Sequence, residues 1–342
     1  MYYKRKLFIF CESLGVSGGV RVILQFCSLF KNIFDIKILC FHKTDWYNID
    51  VPVIVFPMYR YKMVEDYLKN FDESIKVSTW WKTCETVENS LNKNDIGLYY
   101  VQDIESAYYD NENEKNNVLS TYKNKLIKIA GGDYAYNELK KINNNNNNIL
   151  NLSPYIDEKK FRFYNHYHNN NNNILYCARN NKLKNFELFK NISEKLETKK
   201  NIILYGLEQD LQYEIDGSVF VYQPDDEILL SLFDKSDVYV STSYHEGFCL
   251  PILEAFANGL PTVTTFSDGN TFCINEENCL LYDREDADGI AEGIKKVLID
   301  SDLRKHLIQN GLNTVKMFSR EKYYQNFIDF AENNNFICDK KG

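Results

Sequence analysis

The sequence has no run of apolar residues that approaches the roughly 20 needed for a membrane span. Its N-terminal apolar stretch, residues 7–11, is short and ends at Glu12. This length is too small for a secretion signal and favours the first buried strand of a parallel sheet. We therefore expect a cytoplasmic protein without a transmembrane segment, an expectation that leaves peripheral membrane contact open.

The sequence also has no excess of basic residues, and its Cys and His residues show no regular spacing. The chain has 40 Lys and Arg against 48 Asp and Glu, a net charge of −8, which argues against a general nucleic-acid binder. Its nine Cys include no C-x-x-C pair and its five His show no metal-ligand spacing. These absences favour reduced thiols over a disulfide framework and predict no metal site. Cys249 is expected to be an inert thiol, and His245 a loop residue.

What is present is a chain of 342 residues, 44% of them hydrophobic, which is enough for two domains. Strand-like and helix-like segments alternate along it, which predicts an α/β fold with parallel sheets. Two Asn-rich tracts, residues 143–148 and 169–173, cannot bury apolar surface and are expected to be loop insertions. The second tract places the domain boundary near residues 158–173.

Residues 245–261 form the most informative segment, with two acids eight positions apart, Glu246 and Glu254. Pro251 suits the first turn of a helix and Gly259 its end, so we predict a short helix over about residues 252–258. Its free N-terminal amides would bind an anion such as a diphosphate. The two carboxylates would then accept hydrogen bonds from sugar hydroxyls. The alternative is an ordinary helix start, where the dipole favours acids.

This segment resembles the E-x7-E donor-site signature of retaining glycosyltransferases of family 4, the glycosyl transferases of group 1. The resemblance implies the GT-B fold, two Rossmann-like domains that face each other across a cleft. It also implies that Glu246 contacts the donor sugar and Glu254 the ribose of the nucleotide. The backbone amides that would face the diphosphate are those of Gly247, Phe248, Cys249 and Leu250. No metal or other cofactor is implied.

A second element follows the strand predicted from residue 174, where Arg179 and Lys184 stand five positions apart. They resemble the two cations that bind the donor diphosphate in this family, although Ala178 replaces the usual Gly. Two fixed cations would stabilise the charge on a leaving nucleoside diphosphate. Lys182 is the alternative to Lys184 as the phosphate-binding lysine. Taken without the acidic motif, Arg179 and Lys184 would be interpreted as two solvated cations on a loop.

A third set of residues lies in the first half of the chain. Gly18 and Gly19 resemble the family's glycine turn beside the diphosphate, and the role of Arg21 there stays open. The run from Gln102 to Glu105 resembles a Q-D-x-E element found in a subset that includes rhamnosyltransferases. Asp103 is the candidate active-site residue of this element, with helix capping by Gln102 and Asp103 as the alternative. Trp80 and Trp81 would either stack on sugar rings or pack in the core.

Two further loops depart from the family pattern, which weakens any role carried over to them. Tyr155 replaces a Gly in residues 153–157, and residues 267–271 lack the commoner Gly-Gly-x-x-Glu.

The resemblance implies three parts: an acceptor-side domain over residues 1–160, a donor-binding domain over 174–318, and a last helix over 319–336 that crosses back to the first domain. We expect a retaining hexosyl- or deoxyhexosyltransferase that uses a nucleotide sugar. The acceptor, a glycan, lipid-linked glycan or protein, stays open. The alternatives are a sugar-nucleotide epimerase or phosphorylase on the same fold, and a binding relic without turnover.

Overall fold

The computed structural model describes residues 4–144, 148–157, 160–161, 171–196 and 201–337. Contacts divide the chain into two compact units, Met1–Pro154 with Tyr323–Gly342, and Tyr155–Lys322. The sequence had placed these limits at residues 160 and 318. Parts of both Asn tracts, and most of the predicted boundary over residues 158–173, lie outside the described residues.

The first unit is built on a seven-stranded parallel sheet in the order β5-β3-β1-β6-β7-β8-β9. The strands are β1 Lys6–Phe10, β2 Ser13–Leu14, β3 Asp35–Cys40, β4 His42–Lys43, β5 Val53–Val55, β6 Ile75–Ser78, β7 Ile96–Val101, β8 Ile127–Ala130 and β9 Ile149–Asn151. The short strands β2 and β4 pair only with each other. The helices are α1 Gly18–Phe30, α2 Tyr61–Lys69, α3 Trp81–Asn89, α4 Glu112–Thr121 and α5 Asp133–Ile142.

The second unit is built on a six-stranded parallel sheet in the order β12-β11-β10-β13-β14-β15. Its strands are β10 Ile174–Ala178, β11 Ile202–Gly206, β12 Val219–Tyr222, β13 Val238–Ser241, β14 Thr262–Thr265 and β15 Leu280–Tyr282. Its helices are α6 Phe186–Glu194, α7 Asp226–Lys235, α8 Leu250–Ala257, α9 Ala287–Ile299 and α10 Ser301–Val315. The last helix, α11 Arg320–Asn333, begins in this unit and continues into the first.

The apolar runs predicted as strands are buried because helices cover both faces of each sheet. In β10, Ile174 and Tyr176 belong to one hydrophobic cluster, whereas Leu175 between them belongs to another. This alternation follows from the two-residue period of a strand. The expected α/β architecture with parallel sheets is therefore confirmed.

The sheet topology also decides where functional side chains can gather. Parallel strands end at the same edge, so the loops that follow β1, β6 and β7 meet in the first unit. The loops that follow β10, β11 and β13 meet in the second. None of the described helices combines the length and the apolar character that a membrane crossing needs.

Candidate active site

The donor-motif segment of the second unit is a loop that leads from β13 into α8. Helix α8 starts at Leu250, two residues before the predicted start, and Pro251 lies in its first turn. Gly259 follows the helix with φ 65°, in the left-handed region that a residue without a Cβ adopts freely. The short helix predicted from Pro251 and Gly259 is therefore present.

The amides at the start of α8 are not equally available. The Leu250 amide already donates to the Phe248 carbonyl at 2.7 Å. Within the described part of the chain, no hydrogen-bond acceptor is assigned to the amides of Gly247, Phe248 and Cys249. Those three amides fit an anion better than the fourth. The side chain of Cys249 is buried, and burial raises the pKa of its thiol well above the usual value, so it is a packing residue rather than a nucleophile.

Lys184 and Glu246, 62 positions apart in sequence, are in direct contact. The Nζ atom of Lys184 lies 2.5 Å from Oε2 of Glu246, and Oε1 of Glu246 accepts a hydrogen bond from the Ser243 hydroxyl at 2.7 Å. Burial lowers the pKa of Lys184, but the charge and hydrogen bond of Glu246 outweigh burial, so the pKa is raised. The amine is therefore a fixed cation beside the donor motif. Lys182, its rival, is an exposed residue of the same 3-10 turn.

Arg179 follows β10 and pairs with Glu208, which follows β11. The Nε atom of Arg179 lies 3.2 Å from Oε1 of Glu208. The other carboxylate oxygen, Oε2, is buried with no hydrogen-bond partner among the described residues. Sequence reasoning missed Glu208. The contact follows from strand register, which the sequence does not contain: Ala178 and Gly206 are partners in adjacent parallel strands.

Glu254, the second acid of the motif, lies on a buried part of α8. Its side chain is 5% exposed. The pKa of Tyr205 is raised well above its usual value by burial, then by Cys177 and by the charge of Glu254. Glu254 and Tyr205 therefore interact electrostatically, and this acid is somewhat more buried than Glu246, whose side chain is 13% exposed.

A second polar group, also missed from the sequence, holds the loop before α8. The Nδ1 atom of His245 lies 2.9 Å from Oδ2 of Asp268, and Arg284 reaches Oδ1 of the same carboxylate at 3.1 Å. A Cβ on Gly269 would lie 2.2 Å from the Glu246 carbonyl oxygen, so the two loops are in close backbone contact. Asp268 and Gly269 thus attach residues 267–271 to the donor motif, and His245 is a fixed partner in that contact.

The first unit contains a cavity of about 440 Å³, whose lining includes Glu12, Gly19, Trp80, Asp103, Glu105 and Tyr108. Gly19 and Asp103, two residues singled out from the sequence, are therefore brought together. Gly18, the neighbouring glycine, is exposed at the first position of α1. Trp80 lines the cavity, whereas Trp81 donates its Nε1 hydrogen to the Tyr109 hydroxyl at 2.9 Å.

Asp103 accepts hydrogen bonds from the Ile104 amide at 2.7 Å and the Tyr108 hydroxyl at 2.6 Å. The short 3-10 helix that follows, Glu105–Tyr108, is capped by Ile104 without a side-chain hydrogen bond. Asp103 is therefore not the N-cap residue of this helix, although it accepts from the N-cap amide.

Glu105, two residues after Asp103, is a buried acid that the sequence reasoning left without a role. Its Oε2 atom accepts hydrogen bonds from the Trp81 amide at 2.9 Å and the Tyr99 hydroxyl at 2.7 Å. Burial raises the pKa of this carboxyl to about 8. Near neutral pH the group is therefore largely protonated and can donate a hydrogen bond.

No metal-ligand cluster of three or more His, Cys, Asp or Glu occurs in the part of the chain that the structure describes. The cations and amides around Glu246 suit a diphosphate, and the hydroxyl-binding groups of the cavity suit a sugar.

Comparison with known proteins supports the resemblance. The family described as Glycosyl transferases group 1 matches residues 157–314. Among curated proteins, the lipopolysaccharide core biosynthesis glycosyltransferase LpsE of Rhizobium meliloti (strain 1021) is 41% identical over 87 residues, 25% of this chain and 26% of the relative. Probable sucrose-phosphate synthase 2 of Arabidopsis thaliana is 29% identical over 162 residues, 44% of this chain and 16% of the relative. The matches thus span about a quarter or less of these relatives.

Solved structures show the fold along the whole chain. HepE of Anabaena, solved in complex with UDP-glucose, has a TM-score of 0.79 at 14% identity and covers 96% of this chain and 99% of its own. The sucrose-phosphate synthase of Thermosynechococcus elongatus has a TM-score of 0.76 at 14% identity, covering 98% and 100%. Each unit therefore has the Rossmann-like architecture found in GT-B proteins, and the predicted fold class is confirmed.

Proposed function

Since residues 157–314 match the family described as Glycosyl transferases group 1, we propose that this protein is a retaining glycosyltransferase of family 4. It would move a sugar from a nucleoside diphosphate sugar to a hydroxyl acceptor. The observation that carries the proposal is the contact of Lys184 with Glu246 beside the open amides at the start of α8. This contact puts a cation for phosphate next to a carboxylate for sugar hydroxyls.

The donor diphosphate would lie against Lys184, Arg179 and the amides of Gly247, Phe248 and Cys249. An ammonium has three N–H donors, so Lys184 can keep its bond to Glu246 and still donate to a phosphate oxygen. Arg179 has five donors and uses Nε for Glu208, which leaves its two terminal nitrogens to bind phosphate. The Leu250 amide, already donated to Phe248, is the weakest of the predicted contacts.

The two acids would divide the recognition of hydroxyls. Glu246 would accept hydrogen bonds from the donor sugar, because its carboxylate keeps some exposure and is fixed by Ser243 and Lys184. Glu254 would accept from the ribose, as its deeper position in α8 suggests. Asp103 and the amides at Gly18 and Gly19, which all lie in the first unit, are the remaining polar groups that the sequence assigns to the reaction.

In the reaction, the acceptor oxygen would attack the anomeric carbon on the face from which the diphosphate leaves. The new C–O bond forms as the bond to the phosphate oxygen breaks, and the acceptor proton passes to that phosphate oxygen. Lys184, Arg179 and the loop amides would stabilise the charge that develops on the diphosphate. These fixed cations would make a metal ion unnecessary for transfer.

The first donors to test are uridine diphosphate hexoses, because HepE was solved with UDP-glucose. A deoxyhexose nucleotide belongs in the same panel, since the run from Gln102 to Glu105 resembles rhamnosyltransferases. The acceptor would be a glycan, a lipid-linked glycan or a protein, and we place the reaction in the cytoplasm.

The test measures donor binding by calorimetry and then transfer to a glycan panel, both with EDTA present. Glu246→Gln keeps the shape of the side chain but removes its charge. We expect roughly tenfold or more lower kcat for this variant, because a neutral amide accepts weaker hydrogen bonds from the sugar hydroxyls and no longer pairs with Lys184. Lys184→Met should also weaken binding of the nucleoside diphosphate itself. The exposed residue Glu227, in α7, provides the matched control, Glu227→Gln, with unchanged kinetics.

Other results would redirect the assignment. Conversion of the nucleotide sugar to an isomer without acceptor would indicate an epimerase, and binding without turnover would indicate a relic. Transfer by Glu246→Gln near the wild-type rate would refute the proposed role of this residue. The anomeric configuration of the product, read by NMR, decides between retention and inversion.

A further inference from the structure

The cavity of the first unit has a lining of one sign of charge. Three of its residues, Glu12, Asp103 and Glu105, carry carboxyl groups, and none of the described residues that line it is Lys, Arg or His. The carboxyl groups are close enough to affect one another. After burial, which is the main cause, the charges of Asp103 and Glu12 both contribute to the raised pKa of Glu105.

We propose that this cavity binds the acceptor, and that it selects a sugar unit that carries no phosphate or carboxylate group. This inference rests on the proposed glycosyl transfer and adds a chemical class of acceptor to it. An uncharged sugar ring offers hydroxyl donors to the carboxylates and apolar C–H faces to an aromatic side chain. An anionic sugar would bring a like charge into a partly desolvated space, where charge repulsion is strongest.

The aromatic part of the cavity supports a ring-shaped ligand. The rings of Trp80 and Tyr108 have centroids 6.0 Å apart and planes at 37°. Trp80 is half-buried, and Tyr108 is 43% exposed with its hydroxyl bound to Asp103. A rigid aromatic surface next to a carboxylate suits an amphipathic sugar, because one side receives its C–H face and the other its hydroxyls.

Donor and acceptor groups are both present, as sugar hydroxyls require. Glu12 accepts a hydrogen bond from Tyr61, and its side chain stays half-buried at the cavity. Glu105 receives its two hydrogen bonds on one oxygen, Oε2. When protonated, Glu105 can donate a hydrogen bond to a sugar oxygen. The cavity can therefore bind sugar hydroxyls both as donors and as acceptors of hydrogen bonds.

One part of the lining, the start of α1, offers backbone amides. Ser17 caps α1 by accepting from the Val20 amide at 3.1 Å, and Gly19 lies in the first turn of that helix. An anionic sugar would find backbone amides at this one edge of the cavity. All the ionisable acids and bases of the described lining, however, are carboxyl groups, apart from the thiol of Cys11 and the phenol of Tyr108.

Saturation-transfer NMR on the full chain tests this inference, because it detects weak sugar binding without turnover. The probes are methyl hexosides and their 6-phosphate and 6-carboxylate counterparts, with and without a nucleoside diphosphate. We expect signals from the uncharged glycosides and at least tenfold weaker binding of the anionic ones. Equal binding of both classes, or no binding of any uncharged glycoside, would overturn the inference. Donor calorimetry remains a separate test, so failure of the two proposals can be told apart.

Variants connect the signal to the cavity. Trp80→Ala should abolish the signal from uncharged glycosides, whereas Trp46→Ala, at a tryptophan outside the cavity lining, should keep it. Glu12→Gln removes one negative charge. It should lower, several-fold, the ratio of the affinity for the uncharged methyl hexoside to the affinity for its 6-phosphate. Glu114→Gln, at an exposed acid of α4, is its matched control. If Trp80→Ala fails to fold, the Glu12→Gln result decides alone, and unchanged discrimination there would refute the role of charge.

Discussion

At the scale of single residues, Glu105 shows how burial changes the chemistry of a carboxyl group. Both of its hydrogen-bond donors, the Trp81 amide and the Tyr99 hydroxyl, are uncharged. Neutral donors stabilise a carboxylate less than a cation does, so desolvation dominates and the pKa rises to about 8. The folded protein therefore holds a proton at this site over a pH range in which the unfolded chain has released it.

This difference predicts a pH dependence of stability. In the unfolded chain the pKa of Glu is about 4.3. The contribution of Glu105 to stability is full below that pH and is lost as the pH rises through the folded value of about 8. The total loss is on the order of 5 kcal/mol, because one pKa unit corresponds to about 1.4 kcal/mol. Glu105→Gln should lack this slope, so it should gain stability relative to the wild type between pH 5 and 8.5.

Urea unfolding followed by tryptophan fluorescence measures the pH dependence of stability in the first unit, which contains Glu105. The three tryptophans, Trp46, Trp80 and Trp81, all lie in the first unit. Other groups titrate in both proteins, so the quantity to compare is the difference between variant and wild type at each pH. A difference that stays constant from pH 5 to 8.5 would show that Glu105 has an ordinary pKa.

At the scale of elements, the loop after β14 and the loop before α8 act as one piece. Asp268 joins them through His245 and Arg284, and the backbone of Gly269 lies against that of Glu246. Buried backbone contacts of this kind cannot admit a methyl group without a shift. The position of the donor motif therefore depends on a loop that contains none of the predicted site residues.

Gly269→Ala tests this dependence. The added Cβ would lie 2.2 Å from the Glu246 carbonyl and 2.6 Å from the carbonyl carbon of Gly247, so the backbone of the donor motif must move. We expect at least a tenfold weaker binding of the donor by calorimetry, with unchanged far-UV circular dichroism. A displacement of about 1 Å is enough for a large loss of activity when it moves positioned groups.

Gly289→Ala in α9 is the matched control for this experiment. The nearest atoms to its added Cβ belong to the Asp286 side chain, which can rotate away, although it caps the helix. Its donor affinity should stay within a few-fold of the wild type. An equal loss of donor affinity in both variants would attribute the effect to general destabilisation of the unit.

The elements of the donor site show which features could be predicted from the sequence and which could not. The Pro and Gly that bound α8 are local signals, and so the helix and the position of Glu246 could be predicted from residues 245–261. The contacts of Glu208 with Arg179 and of Asp268 with His245 depend on which strands are neighbours and in what register. A single sequence does not contain that register, so these partners became visible only in the folded chain. The cavity beside Trp80 was missed for the same reason.

At the scale of the whole molecule, the last helix closes the first unit with residues from the far end of the chain. Phe327 packs against Phe30 and Phe26 of α1, with ring centroids 4.5 and 4.9 Å away. The Tyr323 hydroxyl lies 3.2 Å from that of Tyr100 in β7. The first unit is therefore complete only after the whole second unit has been synthesised.

Phe327→Ala should lower the stability of the first unit by about 3 kcal/mol, because it removes a fully buried aromatic ring and leaves a cavity. The tryptophan signal reports this unit, and hydrogen exchange should quicken in β1 and β7 but not in β10 or β13. Phe330→Ala, on the same helix, is the control: its ring is half-buried and contacts Phe336, so the loss should be nearer 1 kcal/mol. Equal losses from both substitutions would mean that α11 stabilises the unit through general coverage rather than through the Phe327 contact with α1. Faster exchange in β10 and β13 as well would mean that the two units unfold together, and would contradict a loss confined to the first unit.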